Sequence, residues 1–187
     1  MRTAAKVLLI VGAFFLLIGI VGFGIGLNTV SDVDENWSKF EIENATSGSI
    51  QMDDSDGMGE LGVTFWVKGE YVDLNNNGTW DVCDSTSVVI TENPRINTDW
   101  EDAEALDGRF YYEVDYYANG NNSNCDAVEN NKNYEKTDKG FVKIGRACLG
   151  CYSGTLTFES NQSVWVTYDD KILEDAFEDI FSIFLGF

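Results

Sequence analysis

TLTFESNQSVWVTY, residues 155–168, sets the expectation for the fold. Thr155–Phe158 and Val164–Tyr168 are runs of β-branched and aromatic residues, which suit a pleated, half-buried surface. The polar tetrapeptide Glu159-Ser160-Asn161-Gln162 lies between them, so the stretch predicts two strands joined as a hairpin. Working outward, Phe141–Ala147 reads as a strand just before it, and Arg109–Tyr117 (RFYYEVDYY) as a strongly aromatic one. Val88–Thr91 is a short strand stopped by Asn93-Pro94, and Val63–Val72 (VTFWVKGEYV) is another. Lys39–Glu43 alternates polar and apolar, as a half-buried first strand does. Thr98–Leu106 predicts one short helix, with Thr98 as cap and Glu101 three residues on. Residues 51–60 read as a polar turn, and the Asn-rich residues 118–139 as a long exposed loop. Seven short strands and one brief helix predict a mainly β domain, an antiparallel β-sandwich.

The ends of the chain obey other rules. Val7–Leu27 is uncharged over its whole length. A helix of that length is about 31 Å long, which matches the hydrocarbon core of a bilayer. It exceeds the apolar region of a cleaved signal and lacks a small-x-small site, so we read a retained signal-anchor. Arg2 and Lys6 precede it, which predicts a cytoplasmic N-terminus and an extracytoplasmic, extracellular-type location for the residues beyond the anchor. Gly22 and Gly26 form a Gly-x-x-x-Gly step at which two such helices can approach, although glycine is common in membrane helices generally. Ile172, Leu173, Ala176, Phe177, Ile180, Phe181, Phe184 and Leu185 share one face of a C-terminal helix, with Glu174, Asp175, Glu178 and Asp179 on the other. The expected organisation is a cytoplasmic stub and anchor over 1–30, a spacer over 31–37, the β-sandwich over 38–170 and an amphipathic tail helix over 171–187. The anchor and the tail are candidate sites of homo-oligomer contact, and the tail is a candidate for docking on the domain or the membrane.

Charge narrows the function. The chain has 12 basic and 32 acidic residues, a net charge of −20, and both basic residues of the first 30 lie before the anchor. A nucleic-acid partner needs a basic surface to displace counterions, so none is expected. Histidine is absent, which removes Ser-His and Cys-His dyads and almost every catalytic zinc arrangement. Sequons at Asn36, Asn44, Asn77, Asn121 and Asn161 are consistent with an exported domain.

Asp73–Asp84, DLNNNGTWDVCD, carries the clearest chemistry. Asp73, Asn75, Asn77, Asp81 and Asp84 place side-chain oxygens at positions 1, 3, 5, 9 and 12 of a twelve-residue loop. Gly78 stands at position 6, where the chain must turn sharply, and Thr79 offers its carbonyl at position 7. The segment resembles EF-type calcium loops, which implies a calcium site. It departs from them in having Asp84 rather than Glu at the end and strands rather than helices predicted on its flanks. Two Asn in place of Asp lower the ligand charge and imply extracellular-type affinity, on the order of 0.1–1 mM. The competing reading is an Asn-Gly hairpin turn that needs no metal.

Cys83, Cys125, Cys148 and Cys151 form an even set, which in an exported domain predicts two disulfides. The favoured pairs are Cys83–Cys125, tying two Asn-rich loops, and Cys148–Cys151 within one turn. A redox Cys-x-x-Cys and a four-cysteine zinc site are the alternatives. Gly154–Asn161 with Val164-Trp165-Val166 resembles the last hairpin of GOLD-type β-sandwich ectodomains, which implies a membrane-adjacent sandwich that binds other proteins. The expected function is therefore a calcium-stabilised, membrane-anchored module binding a protein or glycan partner. The alternatives are a structural subunit of a membrane complex, docked through its tail, and a carboxylate-based glycosidase.

Overall fold

A computed structural model describes residues 39–115 and 124–171, and Phe40–Asp170 form one compact unit. The apolar run 7–27, the spacer 31–37 and the tail from residue 172 lie outside the described residues. Among those described, no helix is long and apolar enough to cross a membrane.

The domain is mainly antiparallel β-sheet with few helices. Its elements are β1 (Ile42–Met52), β2 (Val63–Lys68), α1 (Asp81–Asp84), β3 (Val88–Glu92), α2 (Glu101–Leu106), β4 (Tyr111–Tyr112), a 3₁₀ turn (Thr137–Lys139), β5 (Phe141–Ala147) and β6 (Gly154–Tyr168). Hydrogen bonds join all six strands into one sheet, in the order β1-β6-β2-β5-β4, with β3 also on β6. The expected hairpin at Glu159–Gln162 is not there, because β6 runs unbroken for 15 residues. β1 lies along one edge of β6, from Met52 opposite Gly154 to Ile42 opposite Val166. On the other edge β3 covers Thr157–Ser160 and β2 covers Trp165–Tyr168. The polar residues are held as strand because their backbones find partners and their side chains bind neighbours. Asn161 accepts from the Ser87 N–H (2.8 Å) and donates to the Ser85 carbonyl (2.9 Å), and Gln162 donates to Thr86.

Other boundaries also move. The first strand starts at Ile42 and reaches Met52, β2 stops at Lys68, and only Tyr111–Tyr112 of the aromatic run is strand. α2 begins at Glu101 without a side-chain cap from Thr98; Asn97 instead accepts from the Asp99 N–H (2.9 Å). The described part of the Asn-rich segment is mostly exposed, as expected, but Cys125, Asn131 and Lys136 are buried in it, Asn131 fully. Its amide donates to the carbonyls of Asn124 and Asp126 and accepts from the Asp115 N–H, so hydrogen bonds replace apolar burial there.

Strand periodicity divides the side chains between two faces. Val63, Phe65 and Val67 of β2 join Leu156, Phe158, Val164 and Val166 of β6 in the core, where Phe65 meets Phe158 and Phe110 edge-on. Thr64, Trp66 and Lys68 point the other way. Opposite Phe65/Trp66 the register shifts, so Gly145 faces Phe65 while Lys143 faces Trp66, with Ile144 between them in a bulge. Gly145 is required here: a Cβ would come within 2.3 Å of the Tyr111 carbonyl oxygen.

Candidate functional site

The face opposite the core carries charge. Lys143 and Arg146 of β5 meet Glu113, just after β4 in the chain, and Asp169, just after β6. Lys143 Nζ donates to Glu113 Oε1 at 2.6 Å, and Arg146 Nη1 lies 3.9 Å from the same oxygen. Arg146 Nη2 donates to Asp169 Oδ2 (2.9 Å) and to the Leu61 carbonyl (2.8 Å), and Thr64 Oγ1 donates to Asp169 as well. Two cations and two anions thus balance inside a region almost sealed from water. Arg146 Nε is buried without a hydrogen-bond partner among the described residues.

Above this network opens a pocket of about 490 Å³. The start of α2 supplies Trp100, Glu101 and Asp102, and its last residue, Leu106, adds an apolar wall. Tyr111, Glu113 and Arg146 form the floor, while Leu61 and Leu149 close the far side. Burial pushes the Tyr111 hydroxyl up to about 12, against the neighbouring Arg146 charge, so it stays a protonated donor. Leu149 of the far side stands within the turn closed by the Cys148–Cys151 disulfide. The turn donates from Gly150 N–H to the Glu60 carbonyl and accepts at Cys151 from the Glu60 N–H, while Asn97 N–H reaches the Gly150 carbonyl.

The sequence-predicted loop sits elsewhere. Asp73 accepts from the N–H groups of Asn77 and Gly78 (3.1 and 3.0 Å), Asn75 Oδ1 from Asn77 N–H, and Asn77 Oδ1 from Thr79 N–H. The amides of Asn75 and Asn77 both donate to Asp84 Oδ2. Four of the expected side chains are therefore drawn together. Asp81 turns to the Leu74 N–H (3.1 Å), and position 9 is commonly a water-mediated ligand in such loops. Gly78 takes φ +84°, a left-handed turn that favours glycine, and α1 starts at position 9. Among the described residues no group of three or more His, Cys, Asp or Glu side chains is placed to hold a metal, so any cation here would depend on the two amides. The loop's second half pairs with the Asn-rich segment through Trp80 N–H to the Cys125 carbonyl and Ala127 N–H to the Gly78 carbonyl. The Cys83–Cys125 disulfide closes the same contact.

No family model, curated protein or solved structure matches this chain. The resemblance of Asp73–Asp84 to a calcium loop therefore rests on those twelve residues. The pocket had no sequence signal, because its polar members lie far apart in the chain and each reads as an ordinary surface charge.

A second buried acid stands beside the pocket wall. Glu60, 8% exposed, accepts from the Tyr168 hydroxyl at 2.9 Å, and that hydroxyl accepts from the Asp53 N–H. Burial, the shared hydrogen bond with Asp170 and the nearby charge of Asp54 push the Glu60 carboxyl up to about 8. A carboxyl raised in the fold binds more protons folded than unfolded between these values. Its contribution is complete below the ordinary carboxylate range, at about pH 4.5, and is lost as pH rises to about 8. We expect the melting temperature to fall by several degrees from pH 5 to pH 8.5, and Glu60→Gln to flatten that fall. An unchanged slope in the variant would show that Glu60 is not the group responsible.

Proposed function

We propose that the chain is a membrane-anchored extracytoplasmic domain, an antiparallel β-sandwich stabilised by calcium, that binds a protein or glycan partner. The observation that carries the binding role is the pocket between α2 and the charged face. It has the size and the mixed apolar and polar lining of a ligand site. Arg146 and Glu113 are each held by neighbouring groups, so little ordering is left for binding to supply. Filling the pocket with Leu149→Trp tests the role directly. Partner retained on native membranes by the wild type should be lost from the variant, and equal retention would remove the pocket from the function. Anchoring is checked by the intact mass of the native protein, where a mature N-terminus near residue 30 would refute it.

Calcium, in this reading, would be held by Asp73, Asn75, Asn77, the Thr79 carbonyl and Asp84, with Asp81 acting through water. It would supply structural cross-linking rather than chemistry, since the loop stands apart from the pocket. An ion that binds only the folded state adds about 1.4 kcal/mol at tenfold excess over Kd. For a domain of this size that is roughly a 2–5 °C rise in melting temperature. Asp73→Ala should abolish the rise, and Asp54→Ala should leave it intact. A wild-type melt unmoved by several millimolar calcium would reduce the loop to an Asn-Gly turn.

A further inference from the structure

We infer that the α2 pocket is a carbohydrate site, selective for a neutral sugar ring. The inference rests on the pocket being the binding site and adds the class of ligand. Three features of the site lead there.

The floor offers donors and acceptors side by side but no net charge. Glu113 and Asp169 balance Lys143 and Arg146, each already paired at 2.6 and 2.9 Å. An ionic ligand would meet no uncompensated counter-charge there. A hydroxyl is different, because it can donate to a carboxylate and accept from a guanidinium or phenol at the same time. Vicinal sugar hydroxyls match Glu113, Arg146 and Tyr111 in this way, and bonds to charged groups are the stronger kind.

The wall is aromatic and apolar. Trp100 lines the cavity together with Leu106 and Leu149. A pyranose has an apolar face of C–H groups that packs on such a ring while its edge stays polar. A volume of about 490 Å³ leaves room for one or two rings.

The rim is acidic. Glu101 and Asp102 are both exposed and line the mouth. Like charges disfavour uronic or sialic acids there. The rim does attract cations, so a basic side chain of a protein partner is the competing occupant, and the balanced floor argues against it.

The test uses the full-length chain and tracks the Trp100 indole N–H resonance, assigned through Trp100→Phe. The probes are methyl β-glucoside, methyl α-mannoside, N-acetylglucosamine, glucuronate and arginine amide, each titrated through the millimolar range. At least one neutral sugar is expected to shift the resonance, with glucuronate at least tenfold weaker. Tyr111→Phe, which removes only a hydroxyl, should weaken that sugar about tenfold with an unchanged melt, because the site is left with unmatched polar groups. Trp100→Leu should abolish binding, read by mass-based titration. Tighter binding of arginine amide than of every sugar would overturn the carbohydrate assignment and leave the pocket as a binding site. Glucuronate binding as well as its neutral counterparts would overturn the selectivity. No shift with any probe would overturn both the assignment and the pocket's role.

Discussion

Glu113→Gln is expected to cost the domain about 3–5 kcal/mol, the usual penalty for leaving a buried cation without its partner. Glu113 and Lys143 have side chains only 6% and 11% exposed and meet at 2.6 Å, so the little water that reaches them from the pocket replaces only part of the lost charge. Arg146, 3.9 Å from the same oxygen, loses a neighbour too. The companion variant decides the cause. Replacing both members, as Glu113→Leu with Lys143→Met, removes the pair together and should recover most of the loss, because an apolar pair of similar volume is often neutral. Chemical denaturation of the wild type, Glu113→Leu, Lys143→Met and the double variant closes the cycle, with Glu113→Gln measured beside it. Equal destabilisation by the single and double variants would mean that shape, not charge, is what this site requires.

Cys83→Ser with Cys125→Ser should be comparably severe. The bridge spans a sequence separation of 42, and closing a loop of that length in the unfolded chain is worth about 4 kcal/mol. At this domain size the melting temperature should drop by roughly 10–20 °C. The Cys148–Cys151 pair spans only three positions and should contribute about half as much by the same relation. Its loss should instead loosen the pocket wall at Leu149. Thermal melts of the two paired variants, with the wild type under reducing and oxidising conditions, give the ranking. A larger loss from the short bridge would show that native contacts, rather than loop closure, set the contribution of both.

Much of the fold was legible where side-chain chemistry and backbone preference agree. β-branched and aromatic runs mark β2, β3 and β5, and the spacing of the cysteines favoured the two bridges that form. The failures have one cause, which is polar residues satisfied by distant partners. Glu159–Gln162 looked like a turn, yet Glu159 pairs with β1 and β3, Ser160 pairs with β3, and Asn161 and Gln162 are held extended by hydrogen bonds to Ser85, Ser87 and Thr86. Asn131 looked solvated and is fully buried, its amide saturated by three backbone groups. Lys143 and Arg146 stand three apart in β5, where simple alternation puts them on opposite faces, and they share the face away from the core only because the register shifts between them. What local sequence cannot show is that Glu113 and Asp169 arrive from other elements to enclose them. The candidate pocket was illegible for the same reason, whereas the turn of the Asp73–Asp84 loop was written into consecutive residues.

The placement of β6 at the end of the described domain bears on how the protein comes into being. β1, β3 and β2 each pair with it across long sequence separations, and among the described residues β1 pairs with no other strand. A chain emerging from the ribosome therefore holds at least two strands with open edges until residue 168 has been made. Such contacts carry a high entropy of closure and fold slowly, and unpaired edges in the meantime invite pairing with other chains. β2, β5 and β4 can pair with one another before β6 is made, whereas β1 and β3 join the sheet only when synthesis of the domain is nearly finished. A chain that stops before Gly154 lacks the one strand that β1 and β3 require.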